Sequence, residues 1–270
     1  MKKIRIIFVF ISVFIIVAIS IAKSEFKTTS EHPFIVGNMN DFELAIPQAF
    51  EQYPPEYSGE SVWKPLEHTS ERTYLSSFNN FDLAVKWPSM ENRDQNNNLS
   101  SYNARKDING EKDWISIEVV SRLANWPNEK KIQYIKQNKD IKSHDYAYFL
   151  SKYLDGTYFH LSPGNEMQQK GIDINTGLHL AKIEGPDADK PVLGNNFIYW
   201  NVNSYGLVTA LIECPAGKLQ PKFEQSKVCL QRYDLPELHA EVRVYYHMQL
   251  LPNWRQIQEQ SRTLILSFKH

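Results

Sequence analysis

Eight histidines, His32, His68, His144, His160, His179, His239, His247 and His270, are spread along the 270 residues without the spacing of a ligand set. A zinc site needs three or four nitrogen or sulfur donors converging on one point. His160 and His179 alternate with apolar residues in strand-like runs, so they could share a sheet face, and Asp187 could join them in a hydrolytic site. His144-Asp145 beside Tyr146 suggests an acid–base pair, but adjacent helical residues do not face each other, and an aspartate in a first turn is explained by the helix dipole. Asp187 and Asp189 in GPDADKP could touch a cation weakly and read better as a solvated turn. Asp107, Asn109 and Glu111 resemble part of a calcium loop, without its remaining ligands or terminal glutamate. The patterns G-x-S-x-G, H-E-x-x-H, G-x-x-x-x-G-K-[ST] and G-x-G-x-x-G are all missing. Nothing in the sequence therefore calls for a catalytic residue, a metal or another cofactor.

Two residue types do carry a positive signal. Cys214 and Cys229 are the only cysteines, and each ends or begins a strand-like run, LVTALIEC and KVCLQRYDL. A disulfide between them would close a Pro/Gly/Lys-rich excursion at the end of a hairpin. A loop of that size implies about 3 kcal/mol in the chain-entropy account. Two buried thiols are the alternative. Aromatic residues make up 13% of the chain, with six tryptophans. In FIYWNVNSYGLV, Phe197, Tyr199, Asn201 and Asn203 alternate toward a hairpin tip. Aromatic and amide groups on one exposed face suit recognition of protein or sugar, which makes this patch the candidate binding surface.

The elements that would hold these residues can be read from periodicity. Phe81, Leu83 and Val85 share one face of a strand, with Asp82 and Lys86 opposite. A long polar stretch, SMENRDQNNNLSSYNARK, reads as a loop. Asn109-Gly110 marks a tight hairpin turn, and the returning strand sets Ile115, Ile117 and Val119 against Trp114, Ser116 and Glu118. Helices are predicted over WPNEKKIQYIKQNKD and KSHDYAYFLSKYLDG, with Pro127, Ser143 and Gly156 as end signals. Strand patterns then dominate: GTYFHLS, GLHLAKIEG, NFIYWNVN, LVTALIEC, VCLQRYD and HAEVRVYYHMQL. In the last of these, Val242, Val244, Tyr246, Met248 and Leu250 face one way. The chain closes on an amphipathic helix carrying Trp254, Ile257, Ser261, Leu264, Ile265 and Phe268 at helical spacing. Runs of strands with helices set beside them predict an α+β fold, a mainly antiparallel sheet with its helices packed on one face.

The N-terminus sets the compartment. Lys2, Lys3 and Arg5 precede an uncharged apolar run over residues 6–22. Basic residues before such a run place that end in the cytoplasm and send the rest across the inner membrane. The run is long enough for a spanning helix, and Ser20-Ile21-Ala22 also fits a cleavage site, so retention and removal both remain open. The expected organisation is an anchor over 1–23, a stalk over 24–40 and a periplasmic domain over 41–270, with a division into two subunits of structure near 156. Oxidised cysteines fit an exported domain. With 30 basic and 31 acidic residues, the chain lacks the basic face that nucleic acid requires.

Two segments also resemble known proteins. FDLAVKWPSMENRDQNN, through Trp87 and Pro88, and ELHAEVRVYYHMQLLPNWRQIQEQSRTLILSF, through Leu251, Pro252, Trp254, Arg255 and Ile257, resemble anchored or exported immunity proteins found beside type VI secretion effectors. These are scaffold positions and cover under a fifth of the chain. The resemblance implies a protein partner, a periplasm-targeted effector toxin, and transfers no binding residue. Three readings follow: an immunity protein that occludes such an effector, a non-catalytic accessory subunit of an envelope or secretion assembly, and a periplasmic hydrolase.

Overall fold

The computed structural model describes residues 33–59, 71–105, 111–124, 130, 164, 166–185, 197–215 and 227–270. The apolar N-terminal run, the Asn109-Gly110 turn, the two helices expected before Gly156 and the strand expected just after it lie outside the described residues. Among the described residues, no helix is long and apolar enough to cross a membrane.

Chain order begins with a hairpin, β1 (Phe34–Met39) and β2 (Phe42–Pro47). Its two-residue turn, Asn40-Asp41, has φ of 53° and 71°, which is the left-handed pair that matches the twist of the flanking strands. Residues 34–39 are thus not stalk but strand, which corrects the expected boundary at 40. Sequence periodicity hid the hairpin because Asn-Asp is a weaker turn signal than Asn-Gly. Next come β3 (Glu51–Tyr57), β4 (Phe78–Lys86), a short helix α1 (Asn98–Ala104) and β5 (Trp114–Ser121). Helix α1 lies inside the stretch read as a polar loop. Tyr102 on α1 packs edge-on to Trp114, with ring centroids 5.1 Å apart, and this single aromatic contact supplies the apolar face that the sequence lacks elsewhere.

The second series of strands is β6 (Glu166–Ile172), β7 (His179–Glu184), β8 (Phe197–Val202), β9 (Val208–Cys214), β10 (Val228–Leu235) and β11 (Ala240–His247). Strand β11 stops at His247, three residues earlier than its alternation suggests. The chain then winds through a 3₁₀ turn over Met248–Asn253, where Pro252 cannot donate to a ladder. Helix α2 (Trp254–Leu266) follows.

Nine strands form one sheet in the order β3-β4-β5-β11-β10-β9-β8-β7-β6, every neighbouring pair antiparallel. Two meanders, β3–β5 and β6–β11, are therefore fused where β11 pairs with β5, Val242 opposite Val119. The boundary expected near 156 falls in the connection between the meanders, outside the described residues.

One face of the sheet carries the main core. Phe81, Leu83 and Val85 of β4, Ile115, Ile117 and Val119 of β5, and Val242, Val244 and Tyr246 of β11 are all buried there. Trp254, Ile257 and Ile265 of α2 cover them together with Phe268 just beyond it, joined by Met39, Leu44 and Ile46 of the first hairpin. The C-terminal residues bind that hairpin in turn: Ala45 donates to the Phe268 carbonyl at 2.9 Å and His270 donates to that of Glu43 at 3.0 Å. Helix α1 packs on the opposite face through Trp114 and Ala84. The helices are accordingly not confined to one face, because the outward residues of β4 and β5 include enough apolar surface to seat a second one.

Candidate functional site

The Cys214–Cys229 disulfide is formed, joining the end of β9 to the start of β10 with Cα atoms 4.3 Å apart. It lies in the main core cluster together with Tyr199, Ala210 and Ile212. The expected binding patch has to be revised from this position. The alternation along β8 is as read: Tyr199 pairs with Leu180 of β7 and Ile212 of β9, and Asn201 pairs with Ala210. The side they share, however, is the one α2 covers. Tyr199 is only 7% exposed and belongs to the same buried cluster as Trp254. Burial, with Asp173 nearby, raises the pKa of its hydroxyl. Asn201 donates to Thr209 Oγ1 at 2.8 Å. The exposed feature is instead the tip beyond Asn203.

At that tip Asn203 organises a five-residue turn. Its N–H donates to the Leu207 carbonyl at 2.9 Å, and its carbonyl accepts from Gly206 at 3.0 Å. Its side-chain Oδ1 accepts from the N–H groups of Tyr205 (2.9 Å) and Leu207 (3.0 Å). Gly206 takes a φ of +77°, which a Cβ would strain. The Asn203 side chain is thus turned onto the backbone of its own turn, and Tyr205 is left 81% exposed.

The neighbouring turn, between β6 and β7, is built in the same way. Asp173 N–H donates to the Leu178 carbonyl at 2.8 Å, and Gly177 N–H to the Asp173 carbonyl at 2.8 Å. Asp173 Oδ2 accepts from Thr176 twice, from its N–H at 3.0 Å and its hydroxyl at 2.6 Å. Ile174 is left 94% exposed, and Ile172 just before the turn 58%. The pairings Ile172–His179 and His179–Trp200 place this turn at the same end of the sheet as the Asn203 turn. Two strand spacings separate the hairpins, about 10 Å. The indole of Trp254 donates to the Thr176 carbonyl at 3.0 Å, and Gln258 reaches the Thr209 carbonyl at 3.5 Å. The first two turns of α2 thereby hold both hairpins.

Sequence reasoning missed Tyr205, Ile174 and Ile172. The available signal was an apolar residue inside a turn motif, D-I-N-T-G and N-S-Y-G, where no core can receive it. His179, a sequence candidate for metal or hydrolytic chemistry, stacks on Trp200 with ring centroids 5.3 Å apart. His160, Asp187, Asp189, His144 and Asp145 lie outside the described residues, as do Lys2, Lys3 and Arg5. Among the described residues, no group of three or more His, Cys, Asp or Glu side chains converges as a metal site.

The sheet face opposite α2 holds a band of charges. Arg243 donates to Glu118 at 3.2 Å and to Glu241 at 3.1 Å. Arg232 donates to the same Glu241 oxygen and to Glu213, both at 3.1 Å. Tyr245 donates to Glu118 at 3.1 Å, and Arg122 pairs with Asp234. Burial would raise the pKa of Glu241, but Arg122, Arg243 and Arg232 hold it below its ordinary value. Asp82 is pushed up to about 6 by burial and by Glu118 across the strand pair. Asp234 is pushed up to about 7, chiefly by burial, with Arg122 opposing. Guanidinium and carboxylate neutralise one another along this band, an arrangement that fills a half-buried polar face.

No protein-family model matches the chain, and no curated protein matches it. Among solved structures it resembles Smlt3025, an immunity protein of the Stenotrophomonas maltophilia type IV secretion system, at 13% identity and a TM-score of 0.45 over 88% of this chain and 94% of that one. It also resembles the Neisseria meningitidis iron-regulated outer membrane lipoprotein FrpD, at 12% identity and a TM-score of 0.40 over 87% and 92%. Neither likeness is close enough to assign a function. Neither description mentions type VI secretion, the setting that the sequence resemblance implies, and that setting gains no support.

Proposed function

We propose that this chain is a non-catalytic binding protein of the periplasm, anchored by its N-terminal segment, and that it acts as an immunity protein by occluding an antibacterial effector. One observation carries the proposal: two adjacent turns, each locked by its own Asx side chain, hold Ile174 and Tyr205 out of the fold. Leaving large apolar groups in water is unfavourable, and fixing them in rigid turns removes the ordering cost that a flexible loop would incur on binding. Tyrosine in particular is enriched among the residues that dominate interface energies. The disulfide suits an oxidising compartment. Tethering would keep the inhibitor at the membrane where an effector arrives.

Deleting the gene in its native host tests this reading. The deleted strain should be killed on contact with parental cells that deliver the effector, and the full chain supplied in trans should restore survival. Survival unchanged with secretion lost would point to an accessory subunit of an envelope assembly instead.

A further inference from the structure

The same end of the sheet carries a charge whose setting says what kind of partner fits it. The two turns and the first turn of α2 together contain two charged side chains, Asp173 and Arg255. Asp173 is turned inward on Thr176. Arg255 is exposed, makes no ion pair among the described residues, and lies over the Trp254 ring, 5.1 Å from its centroid. That ring is the one whose N–H holds the Thr176 carbonyl. The guanidinium thus stands one indole away from the turn that presents Ile174. Held over an aromatic face it keeps its five donors for a carboxylate.

The last pairs of the two hairpins are Ile172–His179 and Val202–Val208, and Ile174 and Tyr205 project beyond them. A flat face would meet two tips about 10 Å apart and leave a gap between them, whereas a recess would enclose both. We infer that this end of the sheet inserts into an apolar recess of a folded protein partner, a recess rimmed by carboxylate, with Ile174 and Tyr205 as the apolar anchors and Arg255 as the ion-pairing residue. The inference rests on the binding role proposed above and adds the chemistry of the partner's site. A second copy of this chain is a poor occupant: a two-fold, tip-to-tip contact would set Arg255 against Arg255, and like charges across an interface are repulsive.

Site-specific photo-crosslinking in cells that make the full chain tests it. Tyr205 or Ile174 is replaced by p-benzoylphenylalanine, with Lys170 on β6 replaced in the same way as a control away from the tip, and each chain is irradiated with and without Arg255→Glu. The expected result is one heterologous adduct from positions 205 and 174 and none from 170. The crosslinked peptide of the partner should contain Asp or Glu, and the adduct yield should fall roughly tenfold with Arg255→Glu and recover with Arg255→Lys. Melting temperatures of the Arg255 variants should match the parent, since the side chain is exposed. The inference is overturned by no adduct, by an adduct to a second copy of the chain, by crosslinking from 170 alone, or by a yield indifferent to charge reversal. Protection without tip crosslinks would leave the immunity role standing and remove this docking mode. Tip crosslinks without protection would do the opposite.

Discussion

Asp82 shows how one side chain on the charged face can set a property of the whole protein. It stands directly opposite Glu118 in the strand pair, and burial and the neighbouring carboxylate raise its pKa to about 6 against the opposing pull of Arg243. The folded state then holds a proton that the unfolded chain, with a pKa near 3.8, has released. Stability should therefore fall as pH rises through the window from about 3.8 to about 6, and Asp234 adds a second fall of the same sign extending to about 7. Glu241 has the opposite sign: its lowered pKa contributes stability that is present at neutral pH and is lost only in acid. Asp82→Asn keeps the shape and removes the charge. Urea unfolding at pH 8 should show a gain of about 1 kcal/mol after solvent screening, shrinking to nothing near pH 4. An equal gain at both pH values would show that charge is not the cause.

At the scale of elements, the β9–β10 connection depends on its covalent tie. The disulfide sits where β9 ends and β10 begins, and the strands between which it lies continue the sheet from the core into the β6–β9 half. Cys214→Ser with Cys229→Ser frees the connecting loop in the unfolded chain, so guanidinium denaturation should report a loss of about 3 kcal/mol. A loss under about 1 kcal/mol would mean that strand pairing alone secures the join. Helix α2 is the other decisive element. Its spacing of Trp254, Ile257, Ser261 and Ile265 announced a buried stripe, and those residues are buried. What the stripe could not announce is its second use, in which Trp254 and Gln258 grip the two hairpins that end in the Asp173 and Asn203 turns. A helical period reports which side is apolar but not which polar atoms across the fold its edge will meet.

The molecule as a whole must keep a nine-stranded sheet from adding strands of its neighbours, and both outer strands carry a remedy. In β3 the register slips between the Tyr53 and Glu56 pairs, where Pro54 and Pro55 lack the N–H that an incoming strand would need. In β6 it slips between Gln169 and Gly171, and Gly171 takes a φ of +89°. Proline and bulges at an edge are established barriers to edge-to-edge pairing. Pro54→Thr with Pro55→Val should consequently make the protein associate as concentration rises, followed by light scattering, while the parent stays at one size. Indifference to the change would place the barrier elsewhere.

Most of the strands, the closing helix and the cysteine pair were legible in the sequence, because each depends on residues close together in the chain: alternation, capping, a pair of thiols flanking a loop. Strand β6 was not, since its residues EMQQKGI form an exposed edge with no apolar alternation to mark it. Nor was the insertion of β11 beside β5, which joins residues more than a hundred positions apart and leaves no local trace. The candidate patch followed the same division. Local pattern placed Tyr199 and Asn201 on a common side, but which side faced water was decided by where α2 came to rest. Burial is a property of the partner surface as much as of the strand, and only the assembled fold supplies the partner.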